Sequence, residues 1–279
     1  MSRSSPGVAR MAAILNFIAD HPGQSFALTD LVRALKLSRA TCHALLTGLV
    51  DVGYLYRTSD KTYVLGPVLA AIGRTAAEHF SPLQVAQPEM RKLADDFDVV
   101  CGAYFLEGDM IHLRERAASA SHVGYPVPLG TRMPLRWVQA TSFFARTPRD
   151  ADAVQVRTNP APTAEQLEQL HGGMAFVREH GFIALSRRAG TAPGDGIATI
   201  NGMQDPPVVP EITLDDARTY SLMGIMAPIY DARDRVSISL VLGGFNDAMT
   251  GAEVRKAGEA LAEACARISR FLIGQPEDF

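Results

Sequence analysis

The side chains best placed to do chemistry lie in one short run, SRATCHALLTG, at residues 38–48. At helical spacing, Arg39, Ala40, His43 and Thr47 share one face, opposite Cys42, Leu45, Leu46, Leu49 and Val50. The outer face is small or basic. Small side chains let a helix approach base edges closely, and one long cation can reach guanine O6 and N7. Ser38 and Thr41, at the helix start, complete a candidate nucleic-acid face. Arg57 and Lys61, a few residues further on, are candidates for phosphate contact.

Other combinations carry less chemistry. Cys101 and His112 could form a thiol–imidazole pair, but Cys101 sits in an apolar strand pattern and reads as a core thiol. His112, His122 and His171 lack metal-ligand spacing. The glycines of residues 190–196 precede no Lys-Ser/Thr pair, so they form no phosphate loop. Arg187-Arg188 could pair with a ligand carboxylate or be plain surface. These residues imply no catalytic group, metal or cofactor, and the chain does not read as an enzyme.

The elements around residues 38–48 explain how that face would be held. Leu28, Leu31, Val32 and Leu35 form one apolar helical face before it. Lys36-Leu37 makes a short turn, Ser38 stands where an N-cap belongs, and Gly53 supplies a left-handed stop. Two short strands follow, Tyr54–Arg57 and Thr62–Leu65, joined by Thr58-Ser59-Asp60-Lys61. Helix, turn, helix and β-ribbon make a winged helix-turn-helix, whose second helix enters a major groove. A supporting helix precedes it, marked by Val8, Met11, Leu15 and Ile18. A linker helix starts at Pro67, with Leu69, Ile72 and Ala76 on its apolar side.

Past residue 82 the pattern is a different mixture. A helix over Leu83–Phe97, with Ser81 as a possible cap, leads to strands Val99–Leu106 and Met110–Arg116 around Glu107-Gly108-Asp109. Val123–Pro128 suggests an edge strand and Gly130–Pro134 a loop before a helix at Trp137–Ala145. Thr163 with Gln166 opens a helix to His180, and Phe182–Leu185 is a short strand. Residues 187–220 have no clear period. A hairpin of Leu222–Tyr230 and Val236–Leu242, then a helix from Thr250, end the chain. Helices mixed with antiparallel hairpins indicate an α+β domain. The expected boundaries are a winged helix-turn-helix domain at 1–66, a linker helix at 67–81 and a ligand-binding, oligomerising domain at 82–279.

Bulk properties fit this division. The composition is 47% hydrophobic and 20% charged, ordinary for a globular chain. Net charge is −3, but residues 1–80 hold eight Lys/Arg against five Asp/Glu, leaving the excess acid in the remainder. So modest a basic excess suggests two copies acting together on DNA. No apolar run is long enough for a membrane span. The N-terminus has no signal-peptide pattern, and three scattered cysteines read as reduced thiols, so a cytoplasmic location is expected.

The order of elements, and particular residues in it, resembles the IclR-type (isocitrate-lyase-regulator) family of bacterial transcription factors over roughly residues 8–272. The segments carrying the resemblance are LSRATCHALLTGLVDVGYLYR, YVLGP, LGTRMP and APIYDARDRVSISLVLGG. It implies an N-terminal winged helix-turn-helix, a linker helix and a C-terminal GAF-like α/β effector-sensing domain. It also implies a homodimer or dimer of dimers on a palindromic double-stranded operator, and a small-molecule effector. By that likeness the effector would touch Leu129, Gly130, Met133, Arg136, Trp137, Gln139 and Ala140, with Gly224, Met226, Val241 and Gly243 facing them.

The chain departs from the family at this site. Arg136 stands where a His is common, Trp137 where a small residue is, and Gly224 where a Cys is. Val241 and Gly243 replace two serines. Fewer polar groups and an added Trp make the site more apolar, which favours an aromatic or long apolar acid, or its thioester, over a short dicarboxylate. A repressor of a catabolic operon is the reading that follows. The competing one is an enzyme or metabolite carrier of GAF-like fold whose N-terminal helices serve assembly. Operator-length DNA binding separates the two.

Overall fold

A computed structural model of the chain describes residues 5–19, 21, 23–79, 82–122, 127–147, 158, 160–187, 208–245 and 247–274. The chain forms two compact units, Met1–Ser81 and Pro82–Phe279.

In the first unit, helix α1 (Pro6–Ala19) leads to a two-residue strand β1 (Phe26–Ala27), then α2 (Leu28–Leu35) and α3 (Arg39–Asp51). Strands β2 (Leu55–Arg57) and β3 (Thr62–Leu65) form the wing, and α4 (Pro67–His79) follows. The small sheet runs β1-β3-β2, so β1 is a third strand that the apolar pattern of residues 26–35 hid. Ile14, Ile18, Leu31, Cys42, Leu46, Leu49, Leu55 and Tyr63 close the core. Of the expected α1 stripe, Ile18 is in this core and Met11 and Leu15 pack against it; Ile14, also buried, lies outside that stripe, and Val8, 59% exposed, is left outward. Leu35 ends α2 not at a glycine but at Lys36, which takes the left-handed conformation at φ 53°.

The second unit is built on a seven-stranded antiparallel sheet in the order β6-β5-β4-β11-β10-β7-β8. After α5 (Pro82–Phe97) come β4 (Val100–Glu107), β5 (Met110–Ala118), β6 (Arg132–Pro134) and α6 (Trp137–Phe143). Next are α7 (Ala164–His180), β7 (Ile183–Arg187), β8 (Val208–Glu211), β9 (Thr219–Tyr220) and β10 (Leu222–Tyr230). The chain ends with β11 (Val236–Gly243), β12 (Met249–Thr250) and α8 (Gly251–Leu272). Thr163 and Gln166 cap α7 reciprocally, and Thr250 and Glu253 do the same for α8.

Several expectations change here. Arg132–Pro134, expected in a loop, is an edge strand on β5. The span 187–220 holds strands β8 and β9, where prolines and acidic residues mask the period. Val127 and Pro128 are not in a strand, and residues 123–126 of that expected strand lie outside the described residues. So do Ser81, Arg188 and the glycines of 190–196.

One face of the sheet carries α5 and α8, joined by Arg267, which grips both Glu89 carboxylate oxygens at 3.0 and 2.9 Å. Ile225, Ala227, Leu240, Leu242, Cys101 and Ala103 are buried on this side. The other face carries α6, tied down by a buried bond of 2.9 Å between Ser142 Oγ and Ser239 Oγ. Beyond α6 that face borders a cavity.

Candidate functional site

The nucleic-acid face is built from α3 outward. Ser38 caps the helix: its Oγ accepts the Thr41 N–H at 3.1 Å and donates to Thr41 Oγ1 at 2.8 Å. Both hydroxyls are therefore engaged in shaping the helix start. Burying Cys42, Leu46 and Leu49 turns the opposite side to solvent, where Arg39, Ala40, His43 and Thr47 are exposed. Ala44 and Gly48 share that side and were not singled out in the sequence. Thr41 is half-buried. The wing is closed by the Thr58 N–H on the Thr62 carbonyl at 2.9 Å and by the two threonine hydroxyls at 2.7 Å. Lys61 turns the corner at φ 63°, exposed, and the exposed Arg57 guanidinium lies 5.9 Å from the Tyr63 ring centre. The wing cations and the α3 face thus project from one small, tightly cored unit.

In the second unit a cavity of about 140 Å³ lies on the α6 face of the sheet. Its floor is two rows of side chains read across the strands. Val100, Gly243, Gly224 and Leu185 form one row, and Gly102, Val241 and Met226 the next. Three glycines in these rows leave backbone where side chains would stand, which opens the space. Ile111, Leu113, Val127, Met133, Pro134, Val208 and Met223 add apolar wall. Tyr104, Arg116, Arg136 and Gln139 are its polar members, and the described lining contains no Asp or Glu.

The two arginines arrive by different routes. Arg136 is the N-cap residue of α6, 7% exposed, one turn before Gln139. Arg116 arrives through a β-bulge. Leu113 pairs with Tyr104, but the next pairs are Glu115 with Ala103 and Arg116 with Gly102. The extra residue in β5 reverses its alternation, so Arg116 rather than Glu115 takes the cavity side. Its Nη1 donates to the Val127 carbonyl at 2.6 Å.

Of the eleven residues expected at an effector, Met133, Arg136, Gln139, Gly224, Met226, Val241 and Gly243 line this cavity. Leu129, Gly130, Trp137 and Ala140 do not. Leu129 and Gly130 belong to the turn in which the Thr131 hydroxyl donates to the Pro128 carbonyl at 2.6 Å. Trp137, 2% exposed, shares a helical stripe with Thr141. The Thr141 methyl stands 2.7 Å from where a Cβ on Gly173 of α7 would be. Trp137 is thus core on the α7 side, not cavity wall. Sequence reasoning passed over Arg116, Gly102 and Tyr104; Gly102, in an otherwise apolar strand, was the available signal.

Groups weighed for other chemistry are occupied or apart. Cys101 pairs across to Ala117 and His112 to Phe105, so thiol and imidazole sit at different ends of the hairpin. Burial pushes the Cys101 thiol well up. His112 lies 3.4 Å from the Glu107 carboxylate. His122 is buried; its Nε2 donates to the Gly244 carbonyl at 2.7 Å, which leaves Nδ1 to accept from Ser119, while the Ser121 hydroxyl donates to Asp98. Among the described residues no group of three His, Cys, Asp or Glu could hold a metal, and no helix is long and apolar enough to cross a membrane.

Residues 7–59 match the family model of the IclR helix-turn-helix domain. Over 271 residues the chain is 21% identical to the HTH-type transcriptional regulator KipR of Bacillus subtilis (strain 168), covering 97% of this chain and 98% of KipR. Its fold is similar to that of an ICLR transcriptional regulator from Silicibacter sp. TM1040, at TM-score 0.61 and 18% identity over 97% and 96% of the two chains. It is also similar to the Agobacterium tumefaciens repressor BlcR, at TM-score 0.54 and 18% identity over 99% and 100%. At such identities the structural likeness carries the fold alone.

Proposed function

We propose that the chain is a DNA-binding transcriptional regulator of the IclR family, as its match over residues 7–59 and its likeness to KipR support, and that it is an effector-responsive repressor of a catabolic operon. Its effector is a rather apolar small organic acid or the thioester of one. The observation that carries this reading is the cavity. Apolar and glycine residues dominate its lining, and its charged members, Arg116 and Arg136, are both basic. A cavity of that kind accepts an anionic head on Arg136 or Arg116 and an apolar body over Met226, Val241 and Met223. That one similar protein, BlcR, is called a repressor supports the direction of control.

The operator is a palindrome read by two copies of α3, one per protomer of a homodimer or dimer of dimers, in the cytoplasm. Arg39 reads a base edge, the remaining α3 residues set the approach, and Arg57 and Lys61 hold phosphate. Exposed Val68 and Ile72, four residues apart on α4, and Val8 on α1 are among the exposed apolar groups available for pairing. Effector binding shifts the population of dimer arrangements through different affinity for each. The test uses operator fragments selected from genomic DNA and fluorescence anisotropy. Aryl or alkyl monocarboxylates should release the operator, and sedimentation should show a dimer or larger. If only short dicarboxylates release it, or a monomer binds the palindrome, the reading fails.

A further inference from the structure

The effector reading leaves one polar atom of a cavity-lining residue without work. Gln139 Oε1 is buried and has no hydrogen-bond partner among the described residues. An amide oxygen can only accept, and leaving it buried and unpaired destabilises the fold by its lost hydration. Evolution tolerates such a group where a ligand completes it. Gln139 lines the same cavity as Arg136 and lies three residues after it on α6, so their side chains start about 5–6 Å apart. The floor opposite is glycine backbone and the side chains of Met226 and Val241. Neither a methionine nor a valine side chain can donate to the amide.

We propose that the ligand of this cavity is an acid bearing an O–H or N–H donor a few bonds from its carboxylate, and that Gln139 selects for that donor. The inference rests on the effector reading, but it predicts a preference that reading alone does not. Arg136 and Arg116 recognise the charge and cannot distinguish a hydroxylated acid from its parent. The Gln139 oxygen can, because an analogue without the donor leaves it unpaired inside the complex.

Matched pairs of probes test this by calorimetry: phenylacetate against mandelate, 3-phenylpropanoate against 3-phenyllactate, and hexanoate against 2-hydroxyhexanoate, with both enantiomers of each hydroxy acid. For the wild-type chain the better hydroxy enantiomer should bind roughly 10- to 100-fold tighter than its parent. In Gln139→Leu that ratio should fall to about one, with the parent acid bound as well as before. Arg136→Met should weaken both members of a pair alike. Equal binding of the pairs by the wild-type chain, or a preference that survives Gln139→Leu, overturns the role of Gln139 and leaves the acid reading intact. Failure of every acid to bind at millimolar concentration overturns both. The wild-type comparison requires no variant. Should Gln139→Leu not fold, Gln139→Met, unbranched and also without an acceptor oxygen, makes the same comparison.

Discussion

Gly224→Ala tests whether the cavity floor is as tight as the sheet register implies. A Cβ at residue 224 would stand 2.9 Å from the Leu242 carbonyl oxygen and 3.3 Å from Val241 Cγ1. The methyl of Val241 can give way, but the carbonyl belongs to a neighbouring strand fixed by its own pairing, so β10 and β11 must part slightly. Overpacking of this kind costs about 1–3 kcal/mol. Gly224 is not in the left-handed region, so the alanine returns about 0.4–1 kcal/mol by restricting the unfolded chain. The balance is a loss of about 0.5–2 kcal/mol, or a fall of about 2–6 °C in the melting temperature of a unit this size. The same methyl enters the row of Val100, Gly243 and Leu185 and should weaken the best-bound acid by about tenfold. Differential scanning fluorimetry and calorimetry read the two effects. The larger Gly224→Trp should abolish effector release of the operator while operator binding persists. An alanine variant with unchanged melting and unchanged acid affinity refutes the packing argument. A tryptophan variant that still responds puts the effector elsewhere.

Arg39→Ala should cost about 1–3 kcal/mol of operator affinity and relax base preference at one position per half-site; an unchanged preference in a selection assay refutes its reading role. Lys61→Ala should instead weaken all sequences alike and reduce the salt slope by about one. Gly48→Ala, in a helix interior where an added Cβ meets nothing within 4 Å, should raise the stability of the first unit by about 0.5–1 kcal/mol in urea unfolding. Burial pushes the Cys42, Cys101 and Cys265 thiols up, so a colorimetric disulfide reagent at pH 8 should find no fast thiol in the folded chain and three after guanidinium. A full fast equivalent in the folded state contradicts that burial.

The winged helix-turn-helix was legible because its signals are local. Ser38 caps, Gly53 stops, and the buried set Cys42, Leu46 and Leu49 leaves one outward face to read. The caps Thr163 and Thr250 were legible for the same reason. What sequence patterning missed depends on partners far along the chain. Strand β6 exists only because Ile111 and His112 offer Met133 and Arg132 an edge. Trp137 looked like cavity wall because its stripe on α6 could face either the sheet or α7, and the choice is made by Gly173, which leaves room for Thr141.

The charge of the cavity was the least legible property of the site. Simple alternation from Ile111 and Leu113 points Glu115 inward, which would set a carboxylate against any acid. One inserted residue in β5 exchanges it for Arg116, since Gly102 pairs with Arg116 and Ala103 with Glu115. A single register shift thus reverses the sign of one wall, and no local propensity in HLRERA announces it. Arg136 adds to that sign from the other side through α6, an element whose attachment to the sheet runs through Ser142 and Ser239. The positive sign of the cavity wall is therefore a property of the β4–β5 bulge and the α6 docking together. Arg116→Glu, which restores the charge that plain alternation would have placed there, should abolish acid binding in calorimetry without changing operator affinity in the absence of effector. Retained acid binding would mean that Arg136 alone sets the charge preference.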